Sequence, residues 1–218
     1  MKKQQYVLSA IALILCIALY IGGKTVPDKT AATAHTEGDG HDHSAESPQK
    51  IDFKSILAAA KATITPNQSQ RLTALENSVT RGDVKEQQIH AFHEMARFWL
   101  DSARKFELYA YYTSEAAKLE NSEKSLTFAA RLFLDRLMMS GDPAMQTWLA
   151  NNAKVLLENA LKINPANDSS RIGLGSCYLF GNISSNPMEG INMIRQVVEK
   201  NPGNVYGQMM LALGGKKS

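Results

Sequence analysis

Residues 153–202 read AKVLLENALKINPANDSSRIGLGSCYLFGNISSNPMEGINMIRQVVEKNP and contain one pattern twice. An Asn-Pro pair closes each copy, at Asn164-Pro165 and Asn201-Pro202, and the two prolines are 37 residues apart. Ahead of each proline, small or apolar residues recur with identical spacing: Ala153, Leu157 and Ala160 in the first copy, Gly190, Ile194 and Val197 in the second. Because this spacing follows one face of a helix and Pro cannot continue a helix, both segments are predicted to be helices that end at the Asn-Pro pair.

A further helix is predicted between the two pairs, with Leu174, Gly175 and Tyr178 on one face after Arg171. A helix carrying Leu-Gly-x2-Tyr, a turn, and a second helix closed by Pro resembles the tetratricopeptide repeat, whose pattern is Trp-x2-Leu-Gly-x2-Tyr, then Ala-x3-Phe, then Pro. The resemblance implies an all-α solenoid of antiparallel helix pairs, since one pair cannot bury its apolar stripe alone and stacking completes the core.

The sequence departs from the repeat pattern at three positions. Arg171 stands in place of the first aromatic residue, Gly190 in place of Ala, and Ile194 in place of Phe. The turn between the helices is lengthened over residues 182–187, which accounts for the three residues beyond the usual 34. Insertions of this kind belong to loops and leave the stacking intact.

Upstream, apolar residues keep a helical spacing from residue 51 onward, and no stretch alternates as a strand would. The resemblance is specific over residues 143–215 and looser before them. We therefore predict divergent helical hairpins over residues 51–142, including a long helix over 83–104 and a pair formed by 106–119 and 122–139. Tetratricopeptide-like repeats are predicted over residues 143–218.

The last predicted repeat has a first helix from Val205 to Leu213 and no second helix before Ser218. A repeat array needs a polar end, and Met209, Met210 and Leu213 are apolar. Two explanations stay open: the sequence is a shortened product of a longer gene, or a partner or another copy covers this end. An apolar end also predicts self-association.

The amino-terminal segment is predicted to be a membrane anchor. Lys2 and Lys3 precede an apolar run over residues 6–23, about the minimum length for a bilayer span. A cleaved signal peptide and a lipid anchor are the alternatives, but Ala32-Thr33-Ala34 lies far downstream for a cleavage site, and Leu15 before Cys16 does not suit lipidation. The paired lysines favour a single-pass inner-membrane protein with its carboxy-terminal domain in the periplasm.

Residues 24–50 are predicted to be a flexible linker, because they contain almost no large apolar side chain. The linker contains His35, His41 and His43 interleaved with carboxylates. These imidazoles are the candidate metal ligands, and they support an alternative function in handling divalent metal. The interpretation we favour is a solvated polar tether without a metal.

The predicted class is a non-enzymatic protein. The net charge of +3 and the absence of a dense Lys/Arg run argue against nucleic acid as a partner. No nucleophile elbow, phosphate loop or Cys-x2-Cys motif is present, so no catalytic residue and no cofactor are predicted. Of the two cysteines, Cys177 is expected to be a small core residue. His90 and His93 share a helix face without an evident third ligand; His93 is expected to be partly buried and His90 exposed.

The resemblance places a partner-binding groove on the concave side, which the first helices of stacked pairs line. The positions of this sequence that match the groove are Ile172, Ser176, Met209 and Leu213. Their apolar or small side chains predict an apolar polypeptide partner, and an Ile172→Glu change is expected to abolish capture without loss of helix. Anchored tetratricopeptide proteins assist envelope assembly, including cytochrome c maturation, so the resemblance implies a membrane-tethered scaffold for such a process.

Overall fold

Residues 51–81 and 84–215, which the computed structural model describes, form nine α-helices and no strand. The all-α prediction is confirmed. The helices are α1 (Phe53–Lys61), α2 (Pro66–Arg81), α3 (Lys85–Arg97), α4 (Phe106–Glu120), α5 (Glu123–Met139), α6 (Pro143–Ile163), α7 (Asp168–Phe180), α8 (Met188–Lys200) and α9 (Val205–Gly214). A π-helical turn, Phe98–Ser102, follows α3 directly.

Several predictions concern residues outside these ranges. The anchor over residues 6–23, the linker with His35, His41 and His43, and Asp83, the expected first residue of the long helix, lie there. Within the described ranges, every helix is too short or too polar to cross a bilayer.

The two Asn-Pro pairs form the same turn in the structure. Asn164 follows α6 with φ −130° and ψ 88°, and Asn201 follows α8 with φ −134° and ψ 83°. Three residues after each, Asn167 and Asn204 cap the next helix: their side chains accept hydrogen bonds from the amides of Ser170 (2.8 Å) and Gly207 (2.9 Å). Because proline closes the helix and asparagine opens the following one, Asn-Pro-x-Asn specifies this turn locally.

Other helix ends also follow the sequence. Asp52 and Ser55 form a reciprocal capping box at α1, and α2 begins at Pro66. Asn121 ends α4 in the left-handed region at φ 51°, a conformation that asparagine tolerates well. Asp142 caps α6, whose first residue is Pro143.

The long helix expected over residues 83–104 is not one regular helix. It is regular to Arg97, and the amide of Ala103 then bonds to the carbonyl of Phe98, five residues back. Phe98 and Trp99 are both fully buried. A π turn adds a residue to the helix turn, and it occurs here where two adjacent large aromatic side chains both face the interior.

Helices next to each other in the chain pack together, most extensively α5 with α6, α7 with α8, and α3 with α4. The sequence had paired residues 106–119 with 122–139. These helices, α4 and α5, do touch, but α4 packs more closely against α3 and α5 against α6. Loop length alone does not decide which neighbours share the larger interface.

Among alternate helices, α7 is also in direct contact with both α5 and α9, and the three run parallel. Near their starts, Thr127 of α5 and Ser170 of α7 are joined by a hydroxyl hydrogen bond of 3.2 Å. Between α7 and α9, a Cβ atom on Gly207, near the start of α9, would lie 3.3 Å from the side chain of Ile172, near the start of α7. At the other end, a Cβ atom on Gly214 would lie 2.6 Å from Leu179.

Two glycines let α7 and α8 approach closely. A Cβ atom on Gly175 would lie 2.8 Å from the carbonyl oxygen of Gly190, and one on Gly190 would lie 2.3 Å from the carbonyl oxygen of Gly175. Both distances are shorter than a Cβ atom tolerates, so only glycine fits this crossing without moving a backbone.

The core has two clusters of buried side chains. One spans α4 to α9 and contains Cys177, as expected of a small core residue. The other spans α1 to α4 and contains Trp99 and Tyr112. Phe53 of α1 stacks on Tyr111 at a ring-centroid distance of 3.6 Å, which ties α1 to α4. The aromatic residues of this region are therefore mainly core residues.

Candidate functional site: a groove across three parallel helices

The candidate site is a groove that crosses α5, α7 and α9, with a volume of about 360 Å³. The carboxy-terminal half of α5 forms one wall and α9 forms the other. Ser176 of α7 lies between the walls, so the groove is concave. Its lining residues are Arg131, Leu134, Asp135, Met138, Met139, Ser176, Tyr206, Met209, Met210 and Leu213.

The groove is mainly apolar, and several of its side chains are open to solvent. Met139 is 76% exposed, Met209 47%, Met138 38% and Leu213 37%. Methionine has three rotatable bonds and a polarisable sulfur atom, so it adapts to apolar partners of different shape. Contact with a partner would remove this apolar surface from water, which is favourable by about 25 cal/mol per Å².

Two charges of opposite sign border the apolar surface. Arg131 and Asp135 lie one turn apart on α5, with Nε and Oδ2 separated by 3.8 Å, and both side chains are mostly exposed. An exposed pair at this distance contributes less than about 1 kcal/mol to stability. The two side chains can therefore reorient toward a partner at small cost.

The groove continues past Tyr206 into a second depression of about 290 Å³, which Thr127, Leu157 and Ser169 also line. Burial raises the pKa of Tyr206, and the negative charge of Asp135 raises it further. The phenol is therefore neutral at physiological pH, and it lines both depressions.

The structure brings together three of the four residues predicted for the groove. Ser176, Met209 and Leu213 line it, and Ile172 does not. Ile172 is fully buried, because α9 lies on that part of α7 with Gly207 against the Ile172 side chain. Ile172→Glu would therefore place a carboxylate in the core, so we now expect this change to destabilise the helices instead of sparing them.

The residues of the repeated pattern mainly build the hairpins, and of them only Leu157 lines the second depression. Most of them are buried at the interfaces between helices: Ala153, Leu157, Ala160, Leu174, Gly175, Gly190, Ile194 and Val197. Tyr178 is partly buried, and the ammonium group of Lys154 lies 5.1 Å from its ring centroid. Pro165 and Pro202 are exposed in the two turns.

Comparison with protein-family models, with curated proteins and with solved structures finds no match to this chain. The groove is therefore interpreted from its own residues.

A second cleft was not predicted from the sequence. It has a volume of about 610 Å³ and lies between α3 and α5, over α4. Phe128 of α5 and Leu100 of the π turn line it and are exposed. The cleft results from the separation of two helices. Sequence periodicity does not report that separation.

His90 and His93 lie along this second cleft. His93 is exposed, contrary to expectation, and its Nε2 atom lies 2.8 Å from Oε1 of Glu120 on α4. His90 is exposed as expected. In the described ranges, no three His, Cys, Asp or Glu side chains are arranged to hold a metal ion. The pair of His93 and Glu120 thus joins α3 to α4 at the rim of the cleft.

Proposed function

We propose that the chain is a non-enzymatic scaffold, tethered to the membrane through residues 6–23, that binds an apolar segment of another protein in the groove across α5, α7 and α9. The groove carries this proposal: four exposed apolar side chains, Met138, Met139, Met209 and Leu213, face one concave surface. An exposed apolar surface inside a concavity is typical of an interaction site.

The parallel stack of alternate helices supports a tetratricopeptide-like solenoid as the architecture. Two Asn-Pro-x-Asn turns of equal geometry recur 37 residues apart, and paired glycines hold α7 against α8. In solenoids of this kind the concave surface is lined by the first helix of each pair and holds extended or helical peptides. Within that class, assistance to envelope protein or cytochrome c assembly remains the role that the sequence resemblance implies.

The partner is expected to present apolar side chains and little net charge. Arg131 and Asp135 offer one charge of each sign, and Ser176 is small and already donates its hydroxyl to the carbonyl of Ile172 at 2.9 Å. A groove without a cluster of cations does not select a carboxylate or phosphate group. Recognition therefore depends on the shape and apolar character of the bound segment.

The test is capture from native membranes with the full chain, quantified by mass spectrometry. Met139→Glu places a charge on the groove wall at the most exposed of its apolar residues. Val155→Glu is the matched control, because Val155 is 47% exposed on α6 and lines neither the groove nor the cleft between α3 and α5. We expect a partner that the wild type and Val155→Glu both retain and that Met139→Glu loses. Equal capture by all three proteins would refute the groove as the site.

A further inference from the structure

The cleft between α3 and α5 interrupts the stack of alternate helices. Helix α7 contacts both α5 and α9, whereas α3 and α5 share no comparable contact in the described part of the chain. The space between them, about 610 Å³, therefore reaches down to α4. Tyr109 and Glu120 both line it and are eleven residues apart on α4, so the cleft extends for about 16 Å along that helix. An extended segment of about five residues has this length.

The floor of the cleft contains a hydroxyl group that the fold itself does not use. Thr113 of α4 lines the cleft and is only 7% exposed. The hydroxyls of Thr73 and Thr147, which are also on helices, donate to the carbonyl four residues back. The Thr113 hydroxyl has no hydrogen-bond partner among the described residues. Because buried polar groups are normally hydrogen-bonded, this hydroxyl indicates a ligand that reaches the floor.

The walls of the cleft carry exposed apolar surface on both sides. Phe128 of α5 is 54% exposed, and Leu100, across the cleft, is 37% exposed. Leu100 and Asp101 belong to the π turn, so the irregular part of the chain contributes one apolar and one charged side chain to the same wall. Single π turns inside helices occur frequently at functional sites.

The charges of the cleft favour a cation. Three carboxylates and one guanidinium line it: Glu94, Asp101, Glu120 and Arg97. Arg97 pairs with Glu94 at 3.0 Å, Glu120 bonds to the imidazole of His93, and Asp101 has no ion-pair partner among the described residues. Asp101 precedes the start of α4 and Glu120 is its last residue, so the two carboxylates mark opposite ends of the cleft. This local preference for a cation opposes the net charge of +3 on the whole chain.

The linker of this chain does not have the matching chemistry. Residues 24–50 contain five Asp or Glu, only three Lys, and no Phe, Tyr or Trp. An acidic segment without an aromatic side chain would gain little from the apolar walls and would be repelled by the carboxylates. The matching occupant is therefore a segment of another polypeptide.

We propose that the cleft between α3 and α5 binds an extended segment of a partner protein, with an apolar centre and Lys or Arg toward its ends. The apolar side chains pack between Phe128 and Leu100, and the cations lie beside Asp101 and Glu120. A backbone amide of the segment donates to the hydroxyl of Thr113. The inference does not depend on the proposed function, because this cleft shares no lining residue with the groove across α5, α7 and α9.

Fluorescence anisotropy with two labelled, end-capped pentapeptides tests the proposal, with the full chain in a neutral detergent. The probes are Lys-Leu-Phe-Leu-Lys and Glu-Leu-Phe-Leu-Glu. We expect the Lys peptide to bind at least about tenfold more tightly, since each end exchanges repulsion for attraction. Unspecific attraction to the chain would give the opposite order, because its net charge is positive.

Three variants locate the site. For the Lys peptide, Asp101→Asn should weaken binding about threefold, Thr113→Val about threefold and Phe128→Ala at least about fivefold. Valine has nearly the shape of threonine, so Thr113→Val removes the hydroxyl and keeps the packing. The matched controls are Asp135→Asn and Val155→Ala, which make the same kind of change at exposed positions outside the cleft and should leave the Kd unchanged.

Equal affinity for the two peptides, or affinity insensitive to both Asp101→Asn and Phe128→Ala, would overturn the inference. A dimer of the chain that the Lys peptide dissociates in sedimentation would show that a second copy fills the cleft, and would overturn it as well. Met139→Glu should leave peptide binding in this cleft unchanged. Partner capture that survives Met139→Glu would contradict the proposed function alone.

Discussion

Replacing Gly190 by alanine tests whether the contact between α7 and α8 is as close as the structure shows. An added Cβ atom would lie 2.3 Å from the carbonyl oxygen of Gly175 and 2.9 Å from the amide nitrogen of Leu179. Both neighbours are backbone atoms, so relief requires the two helices to separate. Overpacking of this kind costs about 3 kcal/mol at the upper end of the observed range.

Helix propensity partly offsets this loss of stability. Alanine is more favourable than glycine inside a helix by about 1 kcal/mol. The net expectation for Gly190→Ala is a loss of about 2 kcal/mol in the free energy of unfolding. In a domain of this size, each kcal/mol corresponds to about 2–4 °C, so the midpoint of thermal unfolding should fall by about 4–8 °C.

Circular dichroism at a helix wavelength, followed through thermal and urea unfolding, measures the effect. Two further glycines provide a graded comparison. Gly173→Ala would meet only side-chain methyl groups of Leu134 and Leu157, at 3.0–3.3 Å, and should fall between the wild type and Gly190→Ala. Gly141→Ala would meet nothing within 4 Å and should be neutral or slightly stabilising. A Gly190→Ala protein as stable as the wild type would show that the gain in helix propensity offsets any overpacking, and would contradict the close approach of α7 and α8.

Three further outcomes are expected. Ile172→Glu should lower the free energy of unfolding by more than about 3 kcal/mol in urea titrations, because it buries a carboxylate, whereas Ile172→Val should cost about 1 kcal/mol; an Ile172→Glu protein of wild-type stability would contradict the burial of this residue. Burial raises the pKa of the Cys177 thiol to about 12 from an ordinary value of 9.0. Below about pH 9 both states keep the proton, and between about pH 9 and 12 only the unfolded state loses it, so this thiol makes stability fall with rising pH by up to about 1.4 kcal/mol per pH unit. Cys177→Ala should therefore show a shallower decline in urea titrations over that window, and an identical decline would contradict the shift. Asn167→Ala and Asn204→Ala should each cost about 1 kcal/mol or more, since both side chains cap a helix, and the Asn167 change should cost the more because its Nδ2 also donates to Glu123 of α5; the Asn204 change should appear first as faster amide exchange in α9, and the absence of a cost for either would contradict the matching caps.

The helix ends were predictable because local chemistry decides them. Asn-Pro pairs, the Asp52 cap and Pro143 act over a few residues, and the structure places helix boundaries beside each. The buried second-helix residues, such as Ala153 and Ile194, were predictable for a similar reason: their spacing follows one helix face.

The groove was predictable only in part, because its shape depends on contacts between helices distant in sequence. Met209 and Leu213 occupy the same positions in α9 as Ile172 and Ser176 occupy in α7. Ile172 and Ser176 are buried because α9 covers them, whereas Met209 and Leu213 are exposed. Nothing within α7 itself distinguishes a covered position from an open one. The contribution of Met139 was missed because α5 carries no repeat signature, although its apolar carboxy-terminal end was visible in the sequence.

Because the turns at Asn164 and Asn201 have the same geometry, the segment between them can be removed or repeated without changing the sequence of either turn. Excising residues 165–201 would join Asn164 to Pro202 and recreate Asn-Pro-Gly-Asn, with the same capping asparagine three positions on. Inserting a second copy of the segment would preserve both junctions as well. Removing or doubling this segment would therefore leave the residues that form the turn unchanged.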